Sequence, residues 1–158
     1  MGFKLDSVSL KILDLLTKNA KITNSDIAKK VGLVPSAVLE RVRKLEKYGV
    51  ITGYTALLNK GVFNLNLLAF VFIAVDTPNW DDSIIEELIK VPWVQELHEI
   101  TGEESYLLKI RTQGPEHLSN VLKHHIGKVR SVKYTKSTIV LNSLKETTSI
   151  PLDIPVKK

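Results

Sequence analysis

Cysteine is absent from this chain of 158 residues. Disulfides, thiolate metal sites and a cysteine nucleophile are therefore excluded, and the composition is compatible with a reducing cytosol. Long apolar runs are missing as well. The longest, Leu67 to Val75, falls far short of the ~20 residues of a membrane span and reads as a buried strand. Met1 to Asp6 leads straight into a charged amphipathic segment with no apolar signal region. A cytoplasmic protein without a membrane partner is expected. Catalytic signatures are missing too: the chain has no Gly-rich phosphate loop and no nucleophile elbow. His98, His117, His124 and His125 lack metal-ligand spacing such as HExxH. On a helix the adjacent His124 and His125 point ~100° apart. Asp81, Asp82, Glu86 and Glu87 read as solvated helix faces. No enzyme, catalytic residue, metal or cofactor is expected.

What the chain does have is charge, unevenly placed. Residues 1–60 hold 11 Lys/Arg against 5 Asp/Glu, whereas residues 61–158 hold 11 against 12. A basic N-terminal third joined to a near-neutral remainder suggests a polyanion-binding module attached to something else.

That third reads as three helices. Leu5, Val8, Ile12, Leu13 and Leu16 step by three and four, predicting a helix from about Ser7 to Lys18 with Asp6 as N-cap. After a turn at Asn19-Ala20-Lys21, Thr23 stands three residues before Asp26, a capping-box-like start with Asp in place of Glu or Gln. Ile27, Ala28 and Val31 form the buried side of the second helix, and Gly32 falls just past its end. Pro35 fits the first turn of a third helix that runs to about Tyr48 and stops at Gly49. Val38, Val42 and Leu45 share its inner side. Ser36, Ala37, Glu40, Arg43, Lys44 and Lys47 share the other, with Arg41 on a flank. Alone, this helix reads equally as a solvated amphipathic segment. The short link Gly32-Leu33-Val34 makes it the second member of a helix-turn-helix pair, the member that enters the DNA major groove.

Val50 to Leu58 is rich in Val, Ile, Tyr and Thr and reads as a strand before the turn Asn59-Lys60-Gly61. The remainder reads as strand Asn66–Asp76, turn Thr77-Pro78-Asn79, helix Trp80–Lys90 and strand Val94–Thr101. Then come a tight connection at Gly102-Glu103-Glu104, strand Ser105–Thr112, a helix opened by Gly114-Pro115 and ended by Gly127, and strand Val129–Leu141. On the last strand Val132, Tyr134 and Lys136 mark one face, and Lys133, Thr135 and Ser137 the other. The tail after Asn142 is polar and proline-broken, and its closing Lys157 and Lys158 read as solvated. The expected class is α+β: a helix-turn-helix domain over residues 1–52, a linker strand or hinge over 53–64, and a βαββαβ ferredoxin-like domain over 65–158.

The dipeptides and short motifs agree with a known family. Leu5-Asp6, Ile12-Leu13, Ile22-Thr23-Asn24, Val31-Gly32-Leu33, Arg41-Val42, Leu45-Glu46, Gly49-Val50-Ile51 and Gly53-Tyr54 together resemble the N-terminal domain of the Lrp/AsnC (feast/famine) transcription regulators of prokaryotes. The stretch VQELHEITGEESYLLKIRT is similar to that family's regulatory domain. The resemblance implies a winged helix-turn-helix and a C-terminal domain that pairs into dimers and often octamers. It also implies small effectors, commonly amino acids, bound near the loop at Gly102. Two positions depart from the family pattern: Val34 stands where Ser usually precedes the proline, and Ser105 where Asp usually precedes the aromatic.

Two sets of candidate residues follow. For double-stranded DNA, Ser36, Ala37, Glu40 and Arg41 are expected at base edges and Arg43, Lys44 and Lys47 at phosphates. The bland alternative has Arg41 paired with Glu40 or Glu46. Two recognition helices in a two-fold dimer imply a pseudo-palindromic operator. For an amino-acid effector, Gly102, Glu103, Glu104, Ser105 and Tyr106 are expected to line the site with Thr135, Ser137 and Thr138. The bland alternative there is a plain hairpin turn with solvated glutamates. A stand-alone effector-binding module would not need the basic third.

Overall fold

The computed structural model describes residues 5–76 and 82–152. The chain divides into two compact units, Met1–Leu57 with Glu146–Lys158, and Leu58–Lys145.

The first unit is built on three helices, each with its predicted ends. α1 spans Ser7–Lys18, and the Asp6 carboxylate accepts from the Ser9 amide at 2.7 Å. α2 spans Asn24–Val31. Thr23 Oγ1 accepts from the Asp26 amide at 3.1 Å and donates to Asp26 Oδ2 at 2.7 Å. The short Asp26 side chain therefore holds the capping hydroxyl rather than the cap's backbone amide. Gly32, at φ 72° and ψ 35°, turns the chain in the left-handed region. α3 spans Pro35–Lys47, and Val34 supplies no side-chain cap. Its far end closes with Gly49 at φ 67°. The Val50 amide bonds Leu45 O at 2.8 Å and the Gly49 amide bonds Glu46 O at 2.9 Å, the paired closure of a Schellman motif. Ile12, Leu13, Ile27, Ala28, Val38, Val42 and Leu45 form the buried core, the inner stripes read from the sequence.

The expected strand over Val50–Leu58 is not formed. A strand needs a partner for its backbone groups. Here Ile51 alone of the stretch packs on the helical core, while Leu57 is 91% exposed and Leu58 71% exposed. Its β-rich composition records side-chain preference without supplying that partner. The turn after it is present: the Gly61 amide bonds Asn59 Oδ1 at 3.0 Å. The tail forms no helix or strand over its described residues, and it carries one apolar anchor. Leu152 packs against the helical core, because an apolar side chain is more stable there than in water.

The second unit is a four-stranded antiparallel sheet in the order β2-β3-β1-β4, with β1 Leu67–Val75, β2 Val94–Glu99, β3 Tyr106–Thr112 and β4 Val132–Ile139. With α4 (Asp82–Ile89) and α5 (Pro115–Val121) it forms the predicted βαββαβ order. Thr77, Pro78, Asn79, Trp80 and Asp81, where a turn and the start of α4 were expected, lie outside the described residues, as do Lys157 and Lys158. Ala69, Val71 and Ile73 of β1 and Tyr106, Leu108 and Ile110 of β3 bury one sheet face against Ile84 and Leu88 of α4 and Leu118 and Val121 of α5. The register puts Phe70, Phe72, Leu107, Lys109, Tyr134 and Lys136 on the other face.

Two local departures have physical causes. β4 starts at Val132 rather than Val129, because Ser131 at φ 70° turns the chain first. A register shift opposite Ala74 and Val75 then sets Val132 against the helix-side core while Tyr134 and Lys136 point the other way. The expected grouping of Val132 with those two is thereby corrected, since strict alternation has no place for a bulge. Beyond Val121, α5 widens into a π-helical segment, Leu122–Ile126, in which the Gly127 amide reaches Leu122 O at 2.7 Å. Trp93 lies edge-on to both His117 and His125, at 5.0 Å between centroids in each case.

Candidate functional site

α3 carries the first set of candidates. Ser36, Glu40, Arg43, Lys44 and Lys47 are all exposed, and Ala37 is half-buried. Arg43, Lys44 and Lys47 make no ion pair among the described residues. Three unneutralised cations along one helix side form a ready surface for phosphates. At the entrance, Val34 supplies no side-chain cap, Pro35 lacks an N–H and the Ala37 amide bonds Val34 O at 3.0 Å, so the Ser36 amide is the first-turn donor left for an anion.

Arg41 stands apart from this set. Its Nη1 donates to Asp6 Oδ2 at 2.7 Å and to Ser9 Oγ at 3.3 Å. The guanidinium thus ties α3 to the first turn of α1 instead of extending from the helix beside Arg43. Neither Glu40 nor Glu46 is its partner. Periodicity along one helix carries no information about a carboxylate 35 residues away. Asp6 is the shared acceptor. The Ser9 amide, the Ser9 hydroxyl and then Arg41 draw its carboxyl down to about 2. At the other end of α3, the Tyr54 hydroxyl donates to Glu46 Oε1 at 2.9 Å. Partial desolvation and the Glu46 carboxylate push the phenol up to about 12. From the sequence Glu46 was a family-like residue and an alternative partner of Arg41, and Tyr54 part of the expected strand, with no sign that the two would meet.

The second set gathers at one corner of the sheet. Gly102 has φ 136°, a conformation that an L side chain rarely adopts. The Ser105 amide bonds Ile73 O on β1 at 2.8 Å, and the Ile100 amide bonds Ser105 O at 2.9 Å. Ile73 is opposite Thr135 across the β1–β4 pair. Loop and last strand are therefore brought together, as expected. Glu104 Oε1 lies 3.8 Å from Lys136 Nζ, with the Glu104 side chain only 16% exposed. Lys136 also lies over the Phe72 ring, 5.6 Å from its centroid. The candidates do not all share one surface. Thr135 and Ser137 stand on the helix side with Ile73 and Val71, whereas Thr138 stands with Phe70 on the opposite face. Tyr106 is buried in the core. Glu103 is exposed, with no described ion-pair partner. Lys136, the residue that meets Glu104, was assigned only to a strand face by sequence reasoning.

A winged helix-turn-helix DNA-binding family matches residues 5–52, and the Lrp/AsnC ligand binding domain family matches residues 68–150. The chain belongs to the Lrp/AsnC family of transcription regulators. It is 36% identical to the HTH-type transcriptional regulator FL11 of Pyrococcus furiosus, over 94% of this chain and 97% of that one. To the leucine-responsive regulatory protein of Haemophilus influenzae it is also 36% identical, over 94% and 90%. A transcriptional regulator of Neisseria meningitidis, solved as a complex with L-methionine, superposes with a TM-score of 0.90 at 32% identity, over 95% and 98% of the two chains. As a family member the chain is a DNA-binding transcription regulator with a ligand-binding domain, which agrees with the helix-turn-helix unit and the α+β sheet unit described above. No helix among the described residues is long and apolar enough to cross a membrane.

Proposed function

We propose that the chain acts in the cytoplasm as a symmetric assembly that binds a pseudo-palindromic operator through α3 and is tuned by an amino acid at the Gly102 corner. The reading rests above all on the exposed, unneutralised Arg43, Lys44 and Lys47 on the outer side of α3. In it, residues 1–52 bind DNA, 53–64 act as a hinge and 65–158 serve ligand binding and assembly. Ser36, Ala37 and Glu40 approach base edges, and the three cations meet phosphates. Arg41 holds the helix in place from within the domain.

Two copies pair through the sheet face that carries Phe70, Phe72, Leu107 and Tyr134. An apolar, partly exposed face of this kind is stabilised by covering it with a second copy. An amino acid fits the Gly102 corner chemically. Its carboxylate has the turn's amides and Lys136 within the corner, and its ammonium has Glu103 and Glu104. The effector changes DNA affinity only as far as it binds the assembly states unequally. L-Methionine is the first ligand to try, because two related regulators were solved with it. The decisive experiment selects bound sequences from random duplex DNA with and without L-methionine, then measures affinity for the winner at several salt concentrations. Enrichment of an inverted repeat and a shift in affinity with L-methionine are expected. No enrichment over nonspecific retention would refute the operator reading, and unchanged melting and affinity with each of the twenty amino acids would refute the effector.

A further inference from the structure

One apolar side chain of α3 lies outside the helix's inner stripe and reaches the surface. Leu39 is 37% exposed, and it is absent from the buried core and from the partly buried residues around it. A single exposed leucine is ordinary on a protein surface. Its position makes this one informative. Ser36, Leu39, Glu40 and Arg43 recur at i, i+3, i+4 and i+7, one stripe of α3, and all four are exposed. The stripe presents a hydroxyl, an isobutyl group, a carboxylate and a guanidinium in sequence. Unneutralised Arg43 and Lys47 would hold it against an anionic duplex. In the major groove only thymine offers an apolar group, its C5-methyl. An aliphatic side chain next to the cytosine-compatible acceptor Glu40 meets that methyl or is left in water.

We propose that Leu39 is a specificity-determining residue that reads a thymine methyl group in each half-site. This rests on α3 being the helix that enters DNA, and it adds the base type that the polar residues of the stripe do not recognise.

The test separates the two ideas. With the selected operator in hand, each thymine is replaced in turn by deoxyuridine, which removes the methyl and leaves base pairing unchanged. Affinity is measured for the intact protein and for Leu39→Ala. One position per half-site should lose about three- to fivefold on replacement, the worth of one buried methyl group. Leu39→Ala should bind the thymine and uracil operators equally well. A modest drop in melting temperature leaves the comparison intact, because Leu39 is 37% exposed and the thymine and uracil operators are compared on one and the same folded protein. If no uracil replacement weakens the intact protein, or if the loss persists undiminished in Leu39→Ala, the assignment to Leu39 is wrong while DNA binding through α3 still stands. If no duplex is bound above nonspecific retention, the reading of α3 itself fails and Leu39 with it. A uracil scan of the unaltered protein in which no position loses affinity refutes the proposal even without the variant.

Discussion

Asp6 should carry more of the helical unit's stability than an exposed carboxylate normally does. Its side chain does two things: it caps α1 through the Ser9 amide, and it receives Arg41 of α3. Replacing it with Ala removes both. A lost N-cap costs about 1 kcal/mol, within a range of ~0.5–2. The ion pair, with side chains 34% and 47% exposed, adds at most about 0.5–1 kcal/mol after solvent screening. Asp6→Ala should therefore destabilise the unit by about 1.5–2 kcal/mol. Asp6→Asn keeps a capping acceptor and loses only the charge, so it should cost about 0.5–1 kcal/mol. Both tryptophans, Trp80 and Trp93, lie in the sheet unit's sequence. Urea unfolding followed by helical circular dichroism should thus shift while tryptophan fluorescence does not.

The pH dependence has a definite sign. A carboxyl held at about 2 when folded and at ~3.9 when unfolded stabilises the fold above the unfolded value. That contribution declines as pH falls through the interval and is gone below about 2. The gap between the intact protein and Asp6→Asn should accordingly be full near neutrality and close on acidification through this window. Equal stability of Asp6→Ala and the intact protein at neutral pH, or a gap that persists unchanged in acid, would refute the account.

Three further outcomes are expected. Arg43→Ala and Lys44→Ala should weaken binding to all duplexes alike and reduce the salt slope by about 0.9 for each phosphate left unneutralised, which a salt titration of operator affinity checks. Val34→Ser should stabilise the helical unit by about 1 kcal/mol, because Val34 already has the extended backbone of an N-cap at φ −84° and ψ 150° and lacks only the acceptor. An unchanged unfolding midpoint by circular dichroism would show the end to be satisfied otherwise. Gly102→Ala should destabilise the sheet unit by about 1–2 kcal/mol, through φ 136° alone, since a Cβ there meets nothing within 4 Å. A tryptophan-monitored unfolding curve identical to the parent's would contradict that.

What was legible depended on whether the signal was local. Asp6, Thr23, Gly32, Pro35 and Gly49 announce helix ends because caps and left-handed turns are made within a few residues. The inner stripe of α3 is legible because 3.6 residues make a turn. At the Gly102 corner, glycine and the flanking strands were legible for the same reason. The failures share one cause in reverse. Val50–Leu58 has the composition of a strand, but pairing needs a partner that composition does not name. Val132 changes sides at a bulge, and α5 widens at Leu122, because packing against a finished sheet and core overrides simple periods of two and 3.6.

The helix-turn-helix, the βαββαβ order, the basic outer side of α3 and the family to which the chain belongs can all be read along the chain. Each depends on spacing along the chain or on charge that survives any fold. Which of those charges are paired within the chain is set by the folded structure. It ties Arg41 to Asp6 and leaves Arg43, Lys44 and Lys47 without an ion-pair partner among the described residues. It likewise paired Glu104 with Lys136 and exposed Leu39 beside Glu40. The physical reason is that an ion pair or a shared surface is set by distance in space, and residues far apart in sequence approach one another only when the cores beneath them have closed.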